Sequence, residues 1–315
     1  MNVEERIIAE IGGIRLDQFL ARRLPGYSRS HLKDLVERGM VSVDGVLRRP
    51  DFRVSAGSVI RLKLAIPGWP SQPLEDWILH EDKDILVLDK PAGLVVHPIG
   101  ESWERRPEAA LHEPEPNLAG LLIKHRPGLL GSGISRCGIV HRLDRQTSGV
   151  LVVAKTAEAQ ETLLAGFRER LLSKAYRAIV LGELSTDRVE APVGRLPGRR
   201  RVQVTPWGRE SSTEFKSMES SRGLSLVEAR PKTGRTHQIR VHLALLKLPV
   251  LGDHEWFRAP EKEALRKLGL PAPPRMMLHS YRLRLTHPAT GKPVSYTAPL
   301  PKDFKDYWKA VQGGK

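Results

Sequence analysis

Residues 138–156 read Gly-Ile-Val-His-Arg-Leu-Asp-Arg-Gln-Thr-Ser-Gly-Val-Leu-Val-Val-Ala-Lys-Thr. A polar loop with a single acid, Asp144, runs straight into an apolar run, Val150–Ala154. Such a run forms a strand buried on both faces. His141, Arg142, Arg145, Thr147 and Ser148 crowd around Asp144, and Gly149 closes the loop. A rigid buried strand is a firm mount for a reactive carboxylate at its mouth. Read locally, the loop suits an Asx turn equally well, with Asp144 bonding only nearby backbone. The stretch alone leaves both readings open.

Downstream, Thr156 is suited to cap a helix over Ala157–Leu171, with Leu163, Leu164 and Phe167 on its apolar face. Lys174–Gly182 reads as a strand in which Tyr176, Ala178 and Val180 share one face. A tyrosine there is either a half-buried core residue or a flat surface on which a base stacks. Arg195, Arg199, Arg200 and Arg201 surround Pro197-Gly198 with no acid among them. That pattern suits a loop that grips phosphates. In Thr236-His237-Gln238-Ile239-Arg240-Val241-His242-Leu243, Thr236 is placed to cap a helix. Ile239, Leu243 and Leu246 share its inner face, with Arg240 at the stripe's edge. An arginine at a buried edge needs an anionic partner, and Asp144 is a candidate. Neither His237 nor His242 has an acid or histidine at i+4, so no metal site is expected. A β-hairpin over 278–294 and a short helix carrying Phe304, Tyr307 and Trp308 follow.

Upstream, Ile85–Leu88 reads as a buried strand and Lys90-Pro91-Ala92-Gly93 as a turn. His97-Pro98 ends a further strand, residues 99–117 read as an irregular mobile loop, and Leu118–His125 as a short helix. Lys90 is expected to act electrostatically and His97 as a loop residue. The linker 67–76 is rich in proline. Before it, Leu16, Phe19, Leu20 and Leu24 have helical spacing, stopped by Pro25-Gly26. Ser28 is suited to cap a second helix with Leu32, Leu35 and Val36 inside and Arg29, Lys33 and Arg38 outside. Asp44-Gly45 marks a hairpin, and Val54, Val59, Ile60, Leu62 and Leu64 the remaining strands.

Composition narrows the function class. The 315 residues allow roughly two domains. Lys plus Arg is 51 and Asp plus Glu is 36, a net charge of +15. A surplus of that size points to a polyanion, with nucleic acid the first candidate. Cys137 is the only cysteine, which excludes an intramolecular disulfide and a cysteine-rich zinc site. It reads as a small buried apolar residue. No apolar run is long enough to span a membrane and no signal peptide is evident, so a cytoplasmic protein is expected.

The motifs carry a family resemblance. "GIVHRLDRQTSGVLVVAKT" resembles the aspartate motif of the RluA family of pseudouridine synthases. "KPAGLVVHP", "KAYRAIVLGE", "PKTGRTHQIRVHL" with "LPVLGD", and "LHSYRLRLTHPATGKPVSYTAPLPKDF" resemble its other motifs, in the family's order. "RLDQFL", "SRSHLKDLVERGMVSVDG" and "GSVIRL" resemble the small RNA-binding module first described in ribosomal protein S-four. The stretch 99–117 departs from the family pattern, being longer and acidic in its second half.

The resemblance implies an α+β fold. A small N-terminal helix–hairpin RNA-binding module (1–66) and a linker (67–76) precede a catalytic domain (77–315). That domain is a large mixed, mainly antiparallel sheet flanked by helices, with a central cleft. It implies Asp144 as the catalytic aspartate, Arg240 as its ion-pair partner, Tyr176 as the residue stacking on uracil, and Arg142 as the filler of the space a flipped base leaves. Arg29, Lys33, Arg199, Arg200 and Arg201 are further expected RNA contacts. The implied reaction is isomerisation of uridine to pseudouridine in RNA, most naturally large-subunit ribosomal RNA or its assembly intermediate. It needs no cofactor and no metal, and a monomer suffices. The competing reading is an RNA-binding ribosome-assembly factor or RNA chaperone with little catalysis.

Overall fold

The computed structural model describes residues 2–24, 29–37, 39–65, 73–98, 103, 107–113, 115–130, 133–198 and 201–313. Ser28, Pro25-Gly26, Arg38, Arg199, Arg200 and most of the linker lie outside the described residues. The chain divides into two compact units, one drawn from Met1–Leu74 and Val95–Cys137, the other from Glu75–Leu94 and Gly138–Lys315.

The first unit holds β1 (Asn2–Ile8), α1 (Leu16–Arg23), α2 (Arg29–Glu37), β2 (Val41–Val43), β3 (Val46–Leu47) and β4 (Val59–Ala65). Its sheet runs β1-β4-β2-β3. Leu16, Phe19, Leu20, Leu32, Leu35 and Val36 are buried against Val41, Val43, Ile60 and Leu62. The helical spacing thus buries the residues it marks. β1, which sequence periodicity did not signal, pairs antiparallel with β4 along its whole length. Val54 is buried but lies outside any strand. Asp44 and Gly45 both have positive φ, 52° and 79°, which a two-residue hairpin of this twist requires. Asp17 is buried, with Arg15 and Arg29 donating to its carboxylate. The stretch 95–137 adds a 3-10 turn over Pro107–His112 and α3 (Leu118–His125). Asn117 caps α3 by accepting from Gly120 N at 2.9 Å and donates to Ala110 O at 2.8 Å. The segment expected to be irregular therefore contains a helical turn, and Trp103 within it is buried and stacked on His97. Val95 makes only an isolated bridge to Asn117, so the strand expected before His97 is absent.

The second unit is built on a large sheet. Its elements are β5 (Ile78–Glu81), β6 (Ile85–Lys90), β7 (Ser148–Ala154), α4 (Ala157–Glu169), β8 (Ser173–Leu181), β9 (Arg188–Glu190), β10 (Val193–Arg195) and β11 (Val202–Val204). They continue with β12 (Ser212–Ser221), β13 (Leu224–Pro231), α5 (Gln238–Leu245), α6 (Ala259–Lys267), β14 (Leu278–Thr286), β15 (Pro293–Thr297) and α7 (Lys302–Gly313). The strand order is β5-β6-β7-β14-β8-β13-β12-β9, with β15 on β14 and β10–β11 a separate ribbon. Every pairing in the large sheet is antiparallel except β7 with β14, a parallel contact of two residue pairs. The sheet is thus mixed and mainly antiparallel, as the sequence implied. All seven residues of β7 are buried, as its apolar run requires.

One rung of this sheet prepares the site. Lys90, Gly149, Ser280, Tyr176, Ala229 and Phe215 are successive partners across six strands. Gly149 has φ +109°, and a Cβ there would lie 2.2 Å from Ser280 O. Only glycine lets β7 and β14 approach so closely at the exit of the Asp144 loop. α4 is capped by Thr156, which accepts from Ala159 N, and buries Leu163 while Leu164 is exposed.

Candidate active site

Four elements bring the polar groups together. The loop before β7 carries Asp144, β8 carries Tyr176, α5 carries Arg240, and the turn after Gly252 carries Asp253 and Glu255. The first three border a cavity of about 510 Å³ whose lining includes Arg142, Asp144, Tyr176, His237 and Arg240.

Arg240 is the hub. Its Nη1 donates to Asp144 Oδ2 at 3.0 Å. Its Nε and Nη2 donate to Asp253 at 2.5 and 2.9 Å, and Nη2 also reaches Glu255 Oε1 at 3.3 Å. The guanidinium carbon lies 4.9 Å from the Trp256 ring centroid. Burial opposes the charge, but Asp253 and then Asp144 outweigh it and hold the arginine pKa above its usual value. A buried guanidinium needs this many anionic partners, because each remaining N–H would otherwise be stranded away from water.

The Asx-turn reading of the opening loop does not describe it. The main-chain carbonyl of Asp144 makes the turn by accepting from Thr147 N at 3.0 Å, while the carboxylate takes Arg240. Lys90 holds the next residue. It is fully buried and donates to Pro91 O at 2.8 Å, Leu94 O at 2.9 Å and Arg145 O at 3.3 Å. Burial lowers its pKa to about 7, with the charge of Asp144 opposing. Its electrostatic role therefore includes tying the Asp144 loop to the turn after β6.

Tyr176 is half-buried at the cavity. Burial pushes its phenol up to about 12, a hydrogen bond with Ser280 opposing and the Asp144 charge adding to the rise. The phenol keeps its proton at neutral pH. Arg142 is exposed at the cavity's lining. Arg201 lies with its guanidinium carbon 4.9 Å from the Trp256 centroid, so it shares that ring with Arg240. Arg29 and Lys33 belong to the first unit, where Arg29 pairs with Asp17 at 2.9 Å and Lys33 lies 3.6 Å from Glu37.

Several local expectations are corrected. Thr236 is exposed and does not cap α5. His237 occupies the N-cap with φ +55°, and Gln238 secures the loop instead. The Gln238 carbonyl oxygen accepts from Thr233 Oγ1 at 2.6 Å and Arg235 N at 3.0 Å. Its amide donates to Ser212 O and Thr213 Oγ1, each at 3.0 Å. His141 accepts from Val152 N at 3.0 Å and stacks on Phe167. Burial lowers its pKa to about 3, so it is a neutral strut. His242 is buried and bonded to Thr213, Ser211 and Ala191. The Cys137 thiol is buried and pushed up to about 12, an unreactive state. Sequence reasoning missed a His80–Asp82–His287 cluster, in which both imidazoles lie 2.9 Å from Asp82 Oδ2. His287 Nδ1 accepts from Ala289 N and Thr290 N, so Nε2 carries the proton given to Asp82. The cluster spends its donors internally as a clamp.

A carboxylate, a buried guanidinium shared with a second buried aspartate, and a protonated phenol thus meet at one cavity, which makes it the candidate active site. Residues 84–245 match the family described as RNA pseudouridylate synthase. The chain belongs to that family. Residues 14–60 match the S4 domain. The synthase is 38% identical over 309 residues to the ribosomal large subunit pseudouridine synthase D of Pseudomonas aeruginosa, covering 94% of this chain and 91% of that protein. It is 35% identical over 323 residues to the protein of that name from Haemophilus ducreyi, covering 99% and 95%. Among solved structures it resembles human RNA pseudouridylate synthase domain containing 4, with a TM-score of 0.59 and 26% identity over 76% of this chain and 94% of that one. The synthase is an RNA uridine-to-pseudouridine isomerase, and a purely RNA-binding assembly or chaperone role is not favoured by these relatives. Among the described residues no helix is long and apolar enough to cross a membrane.

Proposed function

We propose that the synthase converts specific uridines of large-subunit ribosomal RNA, free or in an assembly intermediate, with Asp144 as the reactive carboxylate. The observation that carries this reading is Asp144 held at 3.0 Å by the buried Arg240 in a cavity that also contains Tyr176. The ribosomal target draws support from the near-full-length likeness to relatives named for the large subunit and from the net charge of +15.

The residues divide the work. Asp144 and Tyr176 line a cavity, which a base stacked within a helix does not enter, so the uridine leaves its helix at a cost of a few kcal/mol. Arg142 fills the space left behind, and the Tyr176 ring stacks on the uracil, offsetting that cost. Arg240 fixes and screens the Asp144 carboxylate, which starts the reaction at the sugar by breaking the N1–C1′ bond. The uracil turns within the cavity and is rejoined through C5. Residues 1–66 anchor the RNA, joined through 67–76 to the catalytic domain 77–315, with Arg29, Lys33, Arg199, Arg200 and Arg201 contacting phosphates. The enzyme works as a cytoplasmic monomer.

The test maps pseudouridines in ribosomal RNA from cells with and without the protein, then with Asp144→Asn. The reading requires sites that vanish without the protein and stay absent with Asp144→Asn, while RNA affinity is retained. An unchanged map, or full activity of Asp144→Asn, refutes it.

A further inference from the structure

His237 lines the cavity, and the steps above leave it without work. Its Nε2 lies 3.8 Å from Asp144 Oδ1 and its Nδ1 3.3 Å from Glu255 Oε1. The ring meets Trp256 edge-on, with centroids 6.0 Å apart. Its φ of +55° is costly for a non-glycine residue and persists where the surroundings impose it. Glu255 Oε1 lies beside Nδ1 without a hydrogen bond to it, and Nε2 is the ring nitrogen on the Asp144 side. An imidazole whose buried Nδ1 has no hydrogen-bond partner, set beside the cavity carboxylate, is a group that the fold's own hydrogen bonding leaves uncommitted. The charged groups facing the ring are Asp144, Arg240, Asp253 and Glu255, with His254 beyond Glu255 at 3.8 Å. Burial, reinforced by Arg240, keeps the imidazole pKa below its usual value against the pull of the three acids. The ring is neutral near pH 7 and able to accept a proton.

The reaction needs such a group. Isomerisation breaks the C5–H bond and creates an N1–H bond, so one proton must travel from C5 to N1. Three other cavity groups are poorly suited to carry it. Tyr176 holds its own proton up to about 12, and Lys174, at about 8 through burial, is mostly charged at neutral pH. The His141 Nε2 lone pair is committed to Val152 N.

We propose that His237 is the proton carrier of the isomerisation, taking the C5 proton on Nε2 and returning it to N1. This rests on the reading of the cavity as the site of uridine isomerisation. Once C5 is joined to C1′, that carbon carries both hydrogen and ribose, and the ring has a C6–N1 double bond. Nε2 accepts H5 as a proton. The C–H electron pair becomes the C5–C6 double bond, the C6–N1 pair moves to N1, and N1 takes the proton from the imidazolium. The imidazole is regenerated, and no other reactant is consumed.

The left-handed backbone provides the test, because glycine adopts it freely and asparagine more readily than most residues. Single-turnover conversion is measured on RNA carrying uridine or 5-deuterated uridine, with the unmodified protein, His237→Gly and His237→Asn. Removal of the carrier slows conversion on the order of 100-fold with unchanged RNA affinity. A deuterium isotope effect emerges in both variants. Added imidazole restores His237→Gly, which has an open space for it, and the restored rate follows the basicity of substituted imidazoles. Rates within about threefold of the unmodified protein overturn the role. So does a slow variant that deuteration leaves unchanged and imidazole does not restore. An unmodified protein that forms no pseudouridine overturns the reading of the site itself, which separates the two failures.

Discussion

Asp253→Asn keeps the volume of the residue behind Arg240 and removes its charge. Asp253 accepts from Arg240 Nε at 2.5 Å and Nη2 at 2.9 Å, and from Glu255 N at 2.9 Å. Arg240 is 3% exposed and Asp253 1%, so water does not screen the pair. An asparagine can turn its oxygen to only one guanidinium nitrogen and then opposes its own N–H groups to the other. Each hydrogen bond to a charged group contributes about 1.5–3 kcal/mol, and stranding one half of a buried pair costs about 3–5 kcal/mol. Asp144 and Glu255 stay beside the guanidinium and offset part of this, so the expected loss is about 3 kcal/mol, or roughly 100-fold in the folding constant. Urea denaturation followed by tryptophan fluorescence reads the stability change, and single-turnover conversion reads the loss of a fixed Arg240. The double variant Arg240→Met/Asp253→Leu removes both charges. It should recover much of the stability while remaining inactive, because an apolar pair replaces a buried ion pair at little cost. An Asp253→Asn protein within about 0.5 kcal/mol of the parent and fully active would refute the view that Asp253 holds Arg240.

Two further perturbations probe the frame around the site. The folded pKa of Lys90, about 7, lies below its ordinary 10.5, so between those values the unfolded chain binds more protons and this group's contribution to stability rises with pH. Lys90→Met abolishes that rise, so the stability gap between parent and variant should change by about 2 kcal/mol from pH 7 to pH 9. Parallel stability–pH curves for the two proteins would contradict it. Gly149→Ala should lower stability by about 3 kcal/mol or more, because its Cβ meets Ser280 O at 2.2 Å at a backbone φ of +109°. A urea midpoint equal to the parent's would show that β7 and β14 can part without cost.

Periodicity placed α3, α4, β7, β8 and the β14–β15 hairpin to within a few residues, because each buries a continuous apolar face. It missed β1, whose pairing with β4 is set by a distant partner rather than by its own pattern. It also misplaced the cap of α5. Thr236 has the right chemistry for a cap, yet Gln238 satisfies the loop's donors and acceptors from within. His237 was legible only as a poor metal ligand, since nothing near it in the chain is acidic. Its acids, Asp144 and Glu255, lie 93 residues before and 18 after it.

The sequence by itself determined the class of protein, the two modules, the strand under Asp144 and the helix under Arg240. Charge balance, local periodicity and motif order are properties of short stretches and survive without a fold. Only the tertiary structure decided what Asp144 is. Its carboxylate gains a buried counter-ion 96 residues away, and that counter-ion is held by Asp253, thirteen residues beyond it. Such contacts arise because the sheet order places β14 between β7 and β8 and stacks Lys90, Gly149, Ser280 and Tyr176 in one rung. Electrostatic pairing in a dry interior depends on distance through space, and no pattern along the chain records it.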